Sequence, residues 1–209
     1  MSASAIVSNW EVTADEKQLD ETVKALQANG FKVIVVENAD AAKRAVLDLV
    51  PEGIDVYTAK SATLTAAGIE QEIDQSGRYN SVRNKLMSMN RETQYSEMRR
   101  LGATPTYIVG SIQAITRQGH IIAASYGGSQ LAPYVYGAAK VIWVVGTQKL
   151  VNTVDEGIQR IEEYCLPYES ERLQKVFGRP SEVAKLLIVR KEATPERVTI
   201  VLVKEKIGF

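Results

Sequence analysis

Residues 111–151 read SIQAITRQGHIIAASYGGSQLAPYVYGAAKVIWVVGTQKLV. The almost wholly apolar run Val141–Val145 predicts a strand buried on both faces, as in a parallel sheet that is covered on both sides. Loops rich in Gly and polar residues flank this strand at 125–130 and 146–149; each follows a strand-like run and precedes a helix-like one. Open parallel sheets bind ligands outside the carboxyl ends of their strands. The stretch therefore predicts an α/β fold with a ligand site at that edge.

The residues of these two loops favour a small anionic ligand. Glycines let the backbone approach a ligand closely, Ser129 and Gln130 offer hydrogen bonds, and Lys149 supplies a positive charge. We expect backbone N–H groups near Gly128 to hold the oxygens of the anion while Lys149 balances its charge. In the alternative interpretation, Lys149 is a surface lysine that follows a strand.

A third loop, Thr58–Ser61, has the same character. It follows a predicted strand and leads into a short helix that Ser61 can cap, and free N–H groups at such a helix start favour anions. We expect this loop to meet the other two at one pocket. Alternatively, Ser61 only caps its helix and Lys60 is solvated.

Composition excludes several classes of function. The chain has 209 residues, of which 45% are hydrophobic and 24% charged, so a single globular domain over 1–209 is expected. Lys and Arg together number 25, as do Asp and Glu, which argues against nucleic-acid or anionic membrane binding. The apolar runs are too short to span a bilayer, and the N-terminus lacks the pattern of a secretory signal. We therefore expect a cytoplasmic protein.

Cysteine and histidine are scarce, which limits metal and redox chemistry. The single cysteine, Cys165, allows no internal disulfide and no all-cysteine iron–sulfur site, and the single histidine, His120, excludes any site that needs two. No metal and no cofactor are predicted. Cys165 shares a helical pattern with Ile158 and Ile161, so a buried hydrophobic role is favoured over a nucleophilic one. His120 is interpreted as a surface or hairpin residue.

The order of elements supports the α/β prediction. A capping box at 13–16 begins a helix, and a strand at Phe31–Val36, a helix capped by Asn38 and a strand at Ile54–Thr58 follow. Such a strand–helix–strand unit makes its two strands parallel. A mainly parallel open sheet with helices on both faces is therefore expected.

The second half adds an antiparallel element. Runs at 111–116 and 120–125 flank a short link with Gly119, which predicts a hairpin, and strands at 185–190 and 198–204 could instead form an antiparallel edge pair. One helix is expected over 129–136. Another is expected to start at 152–155 and to stop at Pro167.

Residues 76–102 differ from the rest in composition. They are rich in Arg, Asn, Ser and Met and poor in Val and Ile. This pattern predicts a polar helical insertion that acts as a lid, a ligand-covering segment or a subunit contact; a solvated helical appendage is the alternative. The interleaved glutamates argue against nucleic-acid binding there.

With these motifs in place, the chain resembles the lactate-utilisation (LUD-domain) family from about Trp10 to the end. The resemblance is carried by SATL at 61–64 with Gly68 and by Gly110, Ser111 and Thr116 with their neighbours. It continues through GSQL at 128–131 and the run from Gly137 to Val151, and includes Arg160, Pro167, Arg172 and the closing Gly208–Phe209.

The resemblance implies the fold of the sugar-phosphate isomerase and CoA-transferase superfamily and a role linked to oxidation of L-lactate. It also implies that iron–sulfur oxidoreductase subunits are partners, since this chain lacks the cysteine clusters of longer members. Together with the loop chemistry, it makes these the candidate ligand-binding residues: Lys60, Ser61, Thr63, Ser111, Thr116, Gly127, Gly128, Ser129, Gln130, Gly146, Gln148 and Lys149.

Two functions remain open at this stage. The first is an accessory protein, as a monomer or a homodimer, that binds a small anionic metabolite in organic-acid utilisation without catalysing a reaction. The second is an enzyme of the same superfamily that acts on a phosphorylated or carboxylated small molecule. General acid–base catalysis needs a carboxylate at the site, and residues 111–151 contain none, which favours the first. A purely structural dimerisation module would leave the Gly/Ser/Lys loops unexplained.

Overall fold

A six-stranded, wholly parallel sheet forms the centre of the computed structural model, which describes residues 10–209. Its strand order is β1-β10-β7-β4-β2-β3. The strands are β1 (Lys32–Val36), β2 (Asp55–Thr58), β3 (Asn80–Ser81), β4 (Tyr107–Gly110), β7 (Lys140–Gly146) and β10 (Val198–Val203). Residues 141–145 of β7 are fully buried, which confirms the prediction of a central strand covered on both faces.

The antiparallel element belongs to a second, four-stranded sheet with the order β8-β5-β6-β9. Its strands are β5 (Ala114–Thr116), β6 (Ile121–Ser125), β8 (Leu150–Val151) and β9 (Lys185–Val189). Strand β6 is antiparallel to both β5 and β9, whereas β5 and β8 are parallel. The hairpin turns at Gly119, which has a φ of +74°. A backbone hydrogen bond from the Thr116 N–H to the His120 carbonyl closes it.

The alternative pairing of 185–190 with 198–204 is wrong. Strand β10 lies inside the main sheet between β1 and β7, and all six of its residues are buried. An apolar run of this kind suits a parallel strand covered on both faces. Strand β9, whose residues are exposed or only partly buried, pairs instead with β6.

Helices cover both faces of the main sheet, as predicted. The second sheet covers part of one face as well. The helices are α1 (Glu16–Ala28), α2 (Ala39–Leu49), α3 (Ala62–Ala66), α4 (Ile69–Gln75), α5 (Val82–Ser88), α6 (Arg91–Ala103), α7 (Val154–Arg160) and α8 (Leu166–Phe177). On one face, α2, α3 and α4 pack residues such as Val46 and Leu64 against Val144. On the other face, Leu26 of α1 and Ile115 of β5 lie in one cluster with Trp143. No helix within residues 10–209 is long and apolar enough to cross a membrane.

Two helix boundaries differ from the predictions. Helix α1 is capped by Asp15, whose carboxylate accepts from the N–H of Gln18, and not by a capping box that starts at Thr13. Pro167 does not end the helix that was expected to start at 152–155. A π-helical turn at Ile161–Cys165 joins α7 to α8, which runs on to Phe177. Because a proline lacks an N–H and its ring clashes with the preceding turn, a wider turn just before it lets the chain continue as helix.

A second π-helical turn replaces most of the helix expected at 129–136. It spans Pro133–Gly137. The carbonyl of Pro133 accepts from the N–H of Ala138 at 3.2 Å, and the turn ends two residues before β7 begins.

Residues 76–102 form β3, α5 and most of α6, and they are mostly exposed. Only Tyr79, Val82 and Gly102 of this segment are buried. We expect its amides to exchange with deuterium faster than those of Val141–Val145, because little apolar area offsets the entropy of ordering it. Hydrogen–deuterium exchange on the ligand-free monomer measures this. Equal protection of the two segments would contradict the prediction.

Candidate functional site

A cavity of about 940 Å³ opens at the carboxyl ends of β2, β4 and β7. Each of these strands is followed by a residue that lines it: Lys60 and Ser61 after β2, Ser111 after β4, and Lys149 after β7. The loop at 125–130 forms another part of the wall. The predicted site residues in contact with the cavity are Lys60, Ser61, Ser111, Gly127, Ser129, Gln130 and Lys149. The structure thus brings the three predicted loops to one cavity.

Lys149 lies at the floor of this cavity and is 1% exposed. Its Nζ donates hydrogen bonds to Thr63 Oγ1 at 2.9 Å, Ser111 Oγ at 3.1 Å and the carbonyl of Ile112 at 3.2 Å. All three partners are uncharged. The interpretation of Lys149 as a solvated surface lysine is therefore wrong.

A short 3-10 turn at Thr147–Lys149 directs Lys149 inward. The preceding Gly146 has no room for a side chain, since a Cβ there would lie 2.1 Å from Gln148 Oε1. The Gln148 amide donates to the carbonyls of Ile207 at 3.0 Å and Gly208 at 3.2 Å, and so holds the C-terminal segment. Gly146 and Gln148 therefore shape the turn and do not contact the cavity.

Burial, together with a smaller contribution from repulsion by Arg160, lowers the pKa of Lys149 to about 7. The ordinary pKa of a lysine is about 10.4, and desolvation disfavours the charged form of a buried amine. At neutral pH both protonation states of Lys149, the neutral amine and the ammonium, are therefore populated.

Arg160 is a second buried cation near Lys149; it has 0% exposure and does not line the cavity. One of its terminal nitrogens, NH1, donates to the carbonyl of Gln113 at 2.7 Å and to Cys165 Sγ at 3.0 Å. Its Nε and NH2 have no hydrogen-bond partner among the described residues. Buried donors are seldom left unpaired, so this guanidinium has unused capacity to bind a polar group.

Cys165 is buried, as predicted, and also contacts the cavity. Burial raises the pKa of its thiol, although the Arg160 guanidinium acts in the opposite direction. His120 lies outside the cavity, where burial lowers its pKa. Burial therefore disfavours the thiolate that a nucleophilic Cys165 would need, and His120 does not line the cavity.

Three further predicted residues lie behind the wall. Thr63 contacts Lys149 from the side away from the cavity, and the hydroxyl of Thr116 accepts from the N–H of His120 at 3.0 Å to close the hairpin. Gly128 has a φ of +84° and donates its N–H to Ser125 Oγ at 2.9 Å. That N–H is already used inside the loop.

Charged side chains from distant helices complete the mouth of the cavity. They are Arg83 and Arg91 from α5 and α6, Glu169 and Arg172 from α8, and Glu182. Arg172 and Glu169 form a two-point ion pair with distances of 2.8 and 2.6 Å. The mouth therefore contains carboxylates, which residues 111–151 do not supply.

Sequence reasoning did not assign these mouth residues to the site. The spacing of Glu169 and Arg172, three apart on a helix, indicates an ion pair but not its position. Arg83 donates from Nε to the carbonyl and the hydroxyl of Thr58, both at 3.1 Å, so the predicted insertion does border the cavity. Lys60 pairs with Glu70 at 2.9 Å. Within residues 10–209, no group of three or more His, Cys, Asp or Glu side chains is placed to share a metal ion.

The lowered pKa of Lys149 predicts a pH dependence of stability. Between about pH 7 and about pH 10.4 the unfolded chain binds a proton at this lysine that the folded chain does not, so this group makes the free energy of unfolding rise with pH. Lys149→Met removes that contribution. We expect the wild-type protein to gain stability relative to the variant when urea unfolding is compared at about pH 7.5 and about pH 9.5. Parallel pH profiles for the two proteins would contradict the lowered pKa.

The fold is similar to that of a DUF162 family protein from Deinococcus radiodurans, with a TM-score of 0.53, 13% identity and coverage of 90% of this chain and 96% of that chain. A weaker similarity links it to eIF2B beta from Chaetomium thermophilum, with a TM-score of 0.30, 12% identity and coverage of 66% and 44% of the two chains. No curated protein matches the sequence significantly. The LUD domain model matches residues 19–203, and the chain therefore belongs to the LUD domain family.

Proposed function

We propose that this protein binds a small carboxylate anion and acts as an accessory component of L-lactate utilisation. Membership of the LUD domain family supports a role related to lactate utilisation. The observation that carries the binding proposal is Lys149, a fully buried amine at the floor of an open cavity whose three hydrogen-bond partners are all uncharged.

The distribution of charge supports an anion at the floor. Neither Lys149 nor Arg160 donates a hydrogen bond to a carboxylate within residues 10–209. At the mouth, by contrast, Lys60 pairs with Glu70 and Arg172 with Glu169. Buried charges are normally paired. A carboxylate bound beside Lys149 would supply the missing negative charge.

Electron transfer belongs to partner proteins in this proposal. The single cysteine is buried, and one cysteine cannot hold an iron–sulfur cluster. We propose that iron–sulfur oxidoreductase subunits carry the electrons removed from lactate while this protein binds the organic acid. The cytoplasm is the proposed location.

Two measurements test this function. Isothermal titration calorimetry with L-lactate and with pyruvate measures direct binding, and acetate and inorganic phosphate report whether any small anion suffices. Deletion of the gene in its host tests the physiological role: growth on L-lactate should fail and growth on glucose should persist. Normal growth on L-lactate would contradict the physiological role, and absence of binding to both organic acids would contradict the binding role.

Catalysis on a larger, phosphorylated or carboxylated molecule is the second candidate. The cavity of about 940 Å³ is larger than lactate requires, and Glu169 places a carboxylate at its wall. A carboxylate in the site can act as a general acid or base. Turnover assays with sugar phosphates and with CoA esters distinguish this candidate from an accessory binding role.

A further inference from the structure

We infer that Lys149 captures the carbonyl carbon of a 2-oxo acid as an imine. The inference rests on the proposed binding of a small carboxylate at the cavity floor, and it assigns to that site a covalent reaction and a substrate class. The ligand must carry a ketone next to its carboxylate, which excludes L-lactate as a covalent partner.

The position of the Lys149 nitrogen is suited to attack on a bound ligand. Thr63 lies behind it, whereas Ser111 and Ile112 line the cavity beside it. A neutral amine has two N–H groups, and these can donate hydrogen bonds to Thr63 Oγ1 and to the Ile112 carbonyl. The Ser111 hydroxyl has its own acceptor in the Ile112 carbonyl at 3.4 Å. This arrangement leaves the nitrogen lone pair on the side of Ser111 and the cavity.

Both hydroxyls that contact Lys149 have an acceptor for their own proton. Thr63 Oγ1 lies 3.3 Å from the carbonyl of Ile207, which complements the contact of Ser111 with Ile112. Neither hydroxyl therefore has to donate to the amine and block its lone pair. A nucleophilic lysine needs a neutral amine at the working pH, and a desolvated site provides it.

The reaction balances without an oxidant or a reductant. The neutral amine attacks the ketone carbon, a C–N bond forms, and the carbonyl oxygen takes up a proton to give a carbinolamine. Loss of that oxygen as water leaves a C=N bond, and the nitrogen keeps one hydrogen as an iminium. The amine, the 2-oxo acid and one proton thus give the iminium and one water molecule.

Arg160 favours an acid over a simple ketone. It does not line the cavity, but it is a buried cation close enough to repel the Lys149 ammonium, so its positive charge attracts the carboxylate next to the reacting carbonyl. Lys149 is also the one buried lysine among residues 10–209. Selective reaction at this amine is therefore expected.

Reductive trapping tests the inference. The full-length protein is incubated with pyruvate and sodium cyanoborohydride at neutral pH, and the intact mass is measured. We expect one adduct per chain with the mass of pyruvic acid less one oxygen atom, and peptide mapping should place it on Lys149. L-lactate in place of pyruvate should give no adduct. Lys175→Met removes an exposed lysine and should leave trapping unchanged, whereas Lys149→Met should abolish it.

Calorimetry with pyruvate, without the reductant, separates the two proposals. Binding together with an adduct on Lys149 supports both. Binding without an adduct, or with adducts spread over the exposed lysines, overturns the imine and leaves the carboxylate site standing. Absence of an adduct together with absence of binding to pyruvate and to L-lactate overturns both proposals. Because mapping uses the wild-type protein, the result does not depend on the folding of a variant.

Discussion

Replacing Lys149 with alanine should lower the affinity for pyruvate and L-lactate by roughly ten- to a hundred-fold. A charge-assisted hydrogen bond contributes about 1.5–3 kcal/mol, which corresponds to this range in the dissociation constant. In the proposed complex, the ammonium of buried Lys149 would donate such a bond to the bound carboxylate. Calorimetric titration of the wild-type protein and the variant measures the difference directly.

Two further variants show whether charge or geometry is responsible. Lys149→Arg restores a positive charge but replaces a compact ammonium with a planar fork, so only part of the affinity should return. Lys60→Ala removes a half-exposed lysine that already pairs with Glu70, so its effect should be small. An unchanged affinity in Lys149→Ala, or an equal loss in Lys60→Ala, would contradict a specific role for Lys149.

Lys149 also shows what the sequence could and could not predict about the site. The apolar strand at 141–145 and the loops around it identify the correct edge of the sheet, because parallel strands place their carboxyl ends together. Position along the chain does not reveal which side chain of a tight turn points inward. The 3-10 turn directs Lys149 to the cavity and Gln148 to the C-terminal segment, although both were candidate ligand-binding residues in the sequence.

The mouth of the cavity was not predictable from local pattern. Arg83 and Glu169 come from helices that are far apart in the sequence. The residues around each of them show only an ordinary helical pattern. Their arrival at one cavity depends on how α5 and α8 pack, which periodicity does not encode. The continuation of the helix through Pro167 has a similar cause, since rules for helix ends assume regular α-helical hydrogen bonds and the π-helical turn before this proline departs from them.

Arg197→Ala should lower the free energy of unfolding by about 3–5 kcal/mol, because removing one partner leaves the other charge of a buried pair uncompensated. Arg197 pairs with Glu192 at 2.8 Å and donates to the carbonyls of Pro133, Tyr134 and Ala138 at 3.0–3.1 Å. These bonds anchor the π-helical turn that carries Tyr134 into the cavity wall. Urea denaturation measures the loss, and pyruvate affinity should fall with it.

An exposed ion pair provides the control for Arg197. Arg117 pairs with Glu21, and the two side chains are 50% and 36% exposed, against 9% and 11% for Arg197 and Glu192. Exposed pairs contribute at most about 1 kcal/mol, so Arg117→Ala should change stability by less than that and leave pyruvate binding intact. Equal losses in the two variants would mean that burial does not set the strength of the Arg197 anchor. The cavity wall would then depend on the packing of Tyr134 against Trp143, whose rings meet edge-on at 5.3 Å.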